Sequence, residues 1–145
     1  MNKNININIV LLNKNAKIPE KQHELDIGYD IYSLEEYTLL SNEVTRVHTG
    51  VSIELPPNMG GFILPRSGLA SKHSITSINS PGLVDPGYTG ELIIPLINHS
   101  NVEYILEKGE RFAQLVIINV ENVSFNEVNK LKNTDRSDKG FGSTG

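Results

Sequence analysis

In the run Pro81-Gly82-Leu83-Val84-Asp85-Pro86-Gly87-Tyr88, turn-forming residues flank a single carboxylate. Asp85 follows two apolar residues, which can hold it in a fixed place. A carboxylate so held acts as a general base on water, a contribution of about 10²–10⁴-fold. Tyr88, three residues on, offers an aromatic face to a sugar ring. The same residues also make an ordinary β-turn, in which Asp is a usual occupant.

Pro65-Arg66-Ser67-Gly68-Leu69 sets a guanidinium, a hydroxyl and a flexible glycine at a strand-to-helix junction. Such a junction suits phosphate, because backbone amides and a cation converge there. It also reads as a plain turn in which Ser67 caps the helix. The C-terminal run from Arg136 to Gly145 combines Arg136 with Phe141, Gly142, Ser143 and Thr144. That set could form a lid, with the ring over a base and the polar groups on phosphate, expelling water as it closes. The bland alternative is an untethered terminus. Asp30, in Gly28-Tyr29-Asp30-Ile31-Tyr32, could serve a magnesium ion through water or simply face solvent. His23, His48, His73 and His99 have no metal-ligand spacing, and there is no P-loop lysine motif.

The elements that must carry these groups read as strands. Ile5, Ile7 and Ile9 alternate with Asn6 and Asn8, and the run continues to Leu12. Further strands are predicted over Ile27–Tyr32, Glu43–Leu55 (broken at Gly50), Gly61–Leu64, Leu92–Asn98, Val102–Leu106, Arg111–Val120 and Val123–Val128. Lys108-Gly109-Glu110 reads as a hairpin turn. Gly and Pro punctuation between many short strands indicates an all-β sandwich or barrel. One short helix is expected at 67–73. Residues 1–128 are expected to form one β domain, and 129–145 a mobile C-terminal arm, since that end has too few apolar groups to order itself.

Bulk properties narrow the classes. A chain of 145 residues with 38% hydrophobic and 21% charged residues fits one ordinary globular domain. With no Trp and 6% aromatics, the core must rest on Ile, Leu and Val. The absence of Cys excludes disulfides, thiolate metal sites and cysteine nucleophiles. A net charge of −4 gives no basic footprint for nucleic acid. No apolar stretch is long enough for a membrane span, and no signal-peptide run opens the chain. A cytoplasmic or otherwise intracellular, soluble protein is expected.

Taken in order, the segments resemble the five motifs of the trimeric dUTPase family. They are Ile27–Ser33, Pro65–Ala70, Asn79–Glu91, Gly109–Leu115 and Arg136–Gly145. Five motifs in the family's order, spanning nearly the whole chain, are highly specific. The resemblance implies a jelly-roll-like β-sandwich and a homotrimer whose active sites are shared among subunits. It implies hydrolysis of dUTP to dUMP and pyrophosphate by water attack on the α-phosphorus, with Mg2+. That activity limits uracil incorporation into DNA and supplies dUMP for dTMP synthesis.

The resemblance also assigns roles. Asp85 would be the general base and Tyr88 the residue packed on deoxyribose. Asn79, with the backbone of Gly82 and Leu83, would read the uracil edge. Arg66, Ser67, Gly68 and Gln114 would bind phosphate. Asp30 would support magnesium through water. Phe141 would stack on uracil beside Gly142, and Arg136, Ser143 and Thr144 would hold the γ-phosphate end. The chain departs from the family pattern with Ile27 in place of Ala, Gly87 in place of a second Asp, and Ser137 and Lys139 in place of glycines in the arm. Two alternatives stand beside this reading. A dCTP deaminase shares the fold but needs a second acid near the pyrimidine. A non-enzymatic nucleotide sensor has no need of Asp85.

Overall fold

The computed structural model describes residues 5–140 and Gly142. Ten strands and one helix follow the chain: β1 Asn8–Leu11, β2 Tyr29–Tyr32, β3 Tyr37–Leu39, β4 Val44–Glu54, β5 Met59–Pro65, α1 Ser67–His73, β6 Ile75–Ser77, β7 Gly82–Val84, β8 Glu91–Asn98, β9 Tyr104–Leu106 and β10 Arg111–Asn119. They form two four-stranded sheets, ordered β1-β4-β8-β6 and β2-β10-β5-β7, and a two-stranded ribbon β3-β9. All strand pairs are antiparallel. The inner faces of the two large sheets share one core. Val47, Val51, Ile53, Ile94 and Leu96 meet Ile31, Ile63, Phe112 and Leu115 there. The expected β-sandwich with a single short helix at 67–73 is what the chain forms. No helix among the described residues is long and apolar enough to cross a membrane.

Alternation explains β8. Leu92, Ile94, Leu96 and Asn98 are buried while the residues between them are half-exposed, the period of a strand with one face on a core. The helix ends where Ser74 turns left-handed (φ 57°) and its N–H reaches back to the Ala70 carbonyl. Lys72 and His73 in its last turn suit the negative end of the helix dipole.

Several expectations need correction. Gly50 does not break β4. The strand runs through it as a bulge, with a register shift against β8 between His48 and Ser52. Gly50 has φ +66°, and a Cβ there would lie 2.9 Å from the Ala16 Cβ, so both conformation and space demand glycine. Lys108-Gly109-Glu110 is a turn, but no hairpin: it joins β9, paired to β3, with β10, paired to β2 and β5. Val123–Val128 forms no strand and is exposed throughout. A strand needs a ladder partner, and this segment finds none among the described residues. Three strands, β3, β6 and β7, were not foreseen; at three residues each they are too short to show a period.

Asn98 closes one end of the sandwich. It is fully buried, and its amide is fully used. Nδ2 donates to the carbonyls of Leu39 (3.0 Å) and Val102 (2.7 Å), while Oδ1 accepts from the Ser100 N–H (2.9 Å) and hydroxyl (2.8 Å). This one side chain ties β8 to the ribbon and to the loop that follows. Asn98→Ala strands those partners without a replacement, and the expected loss is about 3 kcal/mol of unfolding free energy. Urea denaturation of the variant against the wild type measures it.

Candidate functional site

Arg111 and Gln114 lie three residues apart on β10, so in a regular strand they would face opposite sides of the sheet. They do not. A bulge between Arg111 and Ala113 against β2 inserts one residue, and Phe112 and Ala113 are both buried in succession. The bulge shifts the phase, and Arg111 faces outward with Gln114. Opposite them on β2 stand Tyr32 and Asp30, paired to Arg111 and Gln114 respectively. β5, on the other side of β10, ends at Pro65 and hands Arg66 to the same corner.

A carboxylate between two guanidiniums results. Asp30 Oδ2 accepts from Arg111 Nη1 at 3.1 Å, and Oδ1 lies 3.5 Å from Arg66 Nε. Arg66 Nη1 also donates to the Arg111 carbonyl at 2.9 Å. The Asp30 side chain is only 13% exposed, whereas both arginines keep about a third of their surface in solvent. Two cations against one anion leave a unit of positive charge facing outward, suited to an anionic ligand. Gln114 Nε2 donates to the Pro65 carbonyl at 3.0 Å. Its Oε1 presses so close to Gly28 that a Cβ there would sit 2.3 Å away. Beside this corner the Tyr104 hydroxyl donates to Glu110 Oε1 at 2.5 Å. Burial and that bond push the phenol up to about 12, so it stays a neutral donor.

A second cluster lies at the other edge of the same sheet. Asn79, Gly82, Leu83, Asp85 and Tyr88 line one pocket of about 210 Å³, floored by Ile63 and Leu92. β7 pairs only with β5 among the described strands, through Ile63–Gly82, Phe62–Leu83 and Gly61–Val84. One edge of its backbone therefore carries amide and carbonyl groups with no strand partner. The Ser77 hydroxyl donates to Asn79 Oδ1 at 2.8 Å, which leaves the Asn79 Nδ2 to donate. Asp85 is exposed, directly after β7. Its carbonyl accepts the Tyr88 N–H at 3.0 Å, closing the turn. Tyr88 is about half exposed, and its ring lies over Gly90, where a Cβ would come within 2.8 Å of Cζ.

The structure thus gathers five of the sequence-predicted residues into one pocket and sets Arg66, Gln114 and Asp30 at another corner; none of those three lines the pocket. Ser67 and Gly68 open α1 and are exposed. The cap position belongs to Arg66, with no side-chain cap hydrogen bond, so Ser67 does not cap the helix. Arg136 sits in an exposed turn, donating from Nε to the Lys139 carbonyl at 3.1 Å, and Gly142 is exposed with φ +82°. Phe141, Ser143 and Thr144 lie outside the described residues. Among the described residues no group of three or more His, Asp or Glu side chains could hold a metal ion. Magnesium usually takes several waters, one or two carboxylates and its ligand's phosphates rather than such a cluster. Sequence reasoning passed over Arg111, because the bulge that turns it toward Asp30 leaves no trace in a period of two. It also passed over Glu91, which closes the third motif.

Glu91 lines the pocket but turns its carboxylate to β4. Oε1 accepts the Gly50 N–H at 2.8 Å, and Oε2 lies 3.0 Å from His48 Nδ1. Burial alone would raise its pKa, but the His48 and Gly50 hydrogen bonds outweigh it and hold the carboxyl below its ordinary value.

Comparison with known proteins gives one family. Residues 14–145 match the dUTPase family model. The deoxyuridine 5'-triphosphate nucleotidohydrolase of Clostridium acetobutylicum is 45% identical over 141 residues, covering 97% of each chain. Among solved structures, the Staphylococcus bacteriophage 80alpha dUTPase with dUPNHPP is 31% identical, with a TM-score of 0.86 over 97% of this chain and 98% of that one. A mutant dUTPase from phage phi11 of S. aureus, which coordinates a structural Mg(II) ion, is 26% identical, with a TM-score of 0.83 over 89% and 100%.

The lowered Glu91 pKa has a consequence for stability. A carboxyl depressed by folding stabilises the native state above its unfolded value of about 4.5 and loses that contribution as pH falls through the folded value. The melting temperature of the wild type should exceed that of Glu91→Gln near neutrality, and the gap should close as pH drops below about 4.5. Thermal melts across pH 3 to 7, at about equal spacing, check it; a gap that stays constant would mean the charge contributes nothing.

Proposed function

Because the chain belongs to the dUTPase family and is a dUTP diphosphatase, releasing dUMP and pyrophosphate from dUTP, we propose that Asp85 is its general base and that the pocket beside β7 holds the nucleoside. The observation that carries this is the convergence of Asn79, Gly82, Leu83, Asp85 and Tyr88 on one pocket of about 210 Å³. The water that Asp85 activates attacks the α-phosphorus, and pyrophosphate leaves. A carboxylate placed at the pocket mouth can orient that water and take its proton.

Uracil presents an acceptor, donor and acceptor along one edge, which the unpaired edge of β7 at Gly82 and Leu83 can meet as a neighbouring strand would. Asn79 donates from Nδ2 toward a carbonyl of the base. The amino group of cytosine would place donor against donor there and leave buried groups unpaired. Tyr88 packs on the deoxyribose and leaves no room for a 2′-hydroxyl.

Arg66, Ser67, Gly68 and Gln114 take the phosphates, with Arg111 as an added member held by Asp30. Magnesium neutralises phosphate charge when it enters with the substrate. Asp30 supports it through ordered water, since each carboxylate oxygen has a further lone pair beyond its arginine contact. The arm from 129 to 145 closes over the site, with Phe141 on the base and Arg136, Gly142, Ser143 and Thr144 at the γ-phosphate.

The nucleoside pocket and the arginine corner stand apart in one chain, which supports sites shared within a homotrimer. Two further observations favour self-association. Val123, Phe125 and Val128 are exposed, Phe125 at 98%. A groove of about 860 Å³ lined by Ile7, Ile9, Ile18 and Ile117, with Lys21, Glu24 and Asp26 also on its wall, opens between the two sheets. Exposed apolar side chains of this size beside such a groove favour an interface.

Two experiments follow. Pyrophosphate release from dUTP should fall by about 10²–10⁴-fold in Asp85→Asn with KM little changed; full activity in that variant would remove Asp85 as the base. Phe125→Asp should shift the protein from trimer to monomer in light scattering and lower activity in step. A monomer of undiminished activity would rule out shared sites.

A further inference from the structure

We propose that Glu91 is a positioning residue for Tyr88 and thereby sets the discrimination between deoxyribose and ribose. The inference rests on the assignment of Tyr88 to the sugar. An aromatic ring excludes a hydroxyl only if the ring cannot move aside, so what holds Tyr88 matters as much as its presence.

The ring is held at both ends. Its base follows the Asp85–Tyr88 turn, and its face lies on Gly90, where any Cβ would come within 2.7 Å of the hydroxyl oxygen. Its tip donates to the Glu91 carbonyl at 2.7 Å. That carbonyl is an accurate anchor only if the start of β8 is itself fixed, and the Glu91 side chain fixes it. Both carboxylate oxygens are bound by the β4 bulge, one by the Gly50 N–H at 2.8 Å and the other by His48 Nδ1 at 3.0 Å. The bulge grips the backbone on either side as well. The Ser52 hydroxyl donates to the Thr89 carbonyl, and the Thr49 hydroxyl donates to the Leu92 carbonyl at 2.7 Å.

These outer bonds keep β8 on β4 when Glu91 is altered. Besides the ladder pairing of Ser52 with Glu91, the Glu91 side chain is what ties the bulge at His48 and Gly50 to the residue whose carbonyl receives Tyr88. The carboxylate touches neither sugar nor phosphate in this arrangement; it acts through the backbone it immobilises. A bulge in β4 thus reaches the sugar pocket through one side chain and one phenol, a use of bulges common beside functional sites.

The test is steady-state kinetics with dUTP and UTP, alongside thermal melts, for Glu91→Ala, Glu91→Gln, Tyr88→Phe, Tyr88→Ala and the double variant Tyr88→Phe/Glu91→Ala. The readout is the ratio of kcat/KM for dUTP over UTP. Tyr88→Phe keeps the ring and loses its tether, and Glu91→Ala loosens the anchor. Each should lower the ratio by about tenfold, and the double variant should fall no further than either single change, since both cut one chain of contacts. Glu91→Gln keeps an acceptor for Gly50 and should restore most of the ratio. A folded Glu91→Ala with an unchanged ratio overturns the proposal, and so do losses that multiply in the double variant. If Glu91→Ala does not fold, Tyr88→Phe decides, because an unchanged ratio there shows that the tether to Glu91 carries nothing. An unchanged ratio in Tyr88→Ala is a different failure: it removes Tyr88 from the sugar altogether.

Discussion

The extra residue that β10 carries opposite β2 decides that Arg111 and Gln114 point the same way. Without it, Arg111 would turn into the core and Gln114 would lose its neighbour across from Asp30. Side-chain direction in a strand is a matter of parity, and a slip of one position reverses it. The shift lies against β2 alone; the ladder of β10 with β5 is regular from Ala113 to Asn119 and leaves Pro65 beside the bulge. Asp30 comes from one side and Arg66 from the other to the same corner. The cost of taking the Asp30 carboxylate out of water is offset by two guanidiniums, so the cluster is self-consistent as well as cationic on its outer face.

A second irregularity plays the matching part at the pocket. The β4 bulge at Gly50 binds the start of β8 through backbone and side-chain hydrogen bonds. The turn that bears Asp85 and Tyr88 is thereby fixed to the sandwich at its far end, while β7 fixes its near end to β5. The regular parts of the sheets supply stiffness, and the departures from regularity aim the side chains of the candidate site.

Much of this was legible in the sequence. The alternation of β8, the helix at 67–73 and the run of motifs each rest on local patterns that tertiary structure leaves intact. Other features were hidden for identifiable reasons. β7 reads as a turn because Pro81-Gly82 and Asp85-Pro86 flank only three residues, yet those residues pair with β5. Val123–Val128 has the composition of a strand but no ladder partner among the described residues. Arg111 escapes because the bulge cancels the parity that sequence reading relies on. The companionship of Asp30 with Arg66 and Arg111, from positions far apart in sequence, depends on strand order together with the β10 bulge. Asp85, Tyr88 and Asn79 were recognisable singly, but their sharing one cavity follows only from the pairing of β7.

All four edges of the two large sheets are short. β1 and β2 have four residues each, and β6 and β7 have three. Long, flat edges recruit strands from other molecules and seed fibrils. A β7 of three residues leaves too little open backbone to template such growth, and its turns at either end stop the ladder from extending. The same brevity that hid β7 from sequence reading lets this chain leave one edge unpaired among the described strands without exposing itself to aggregation.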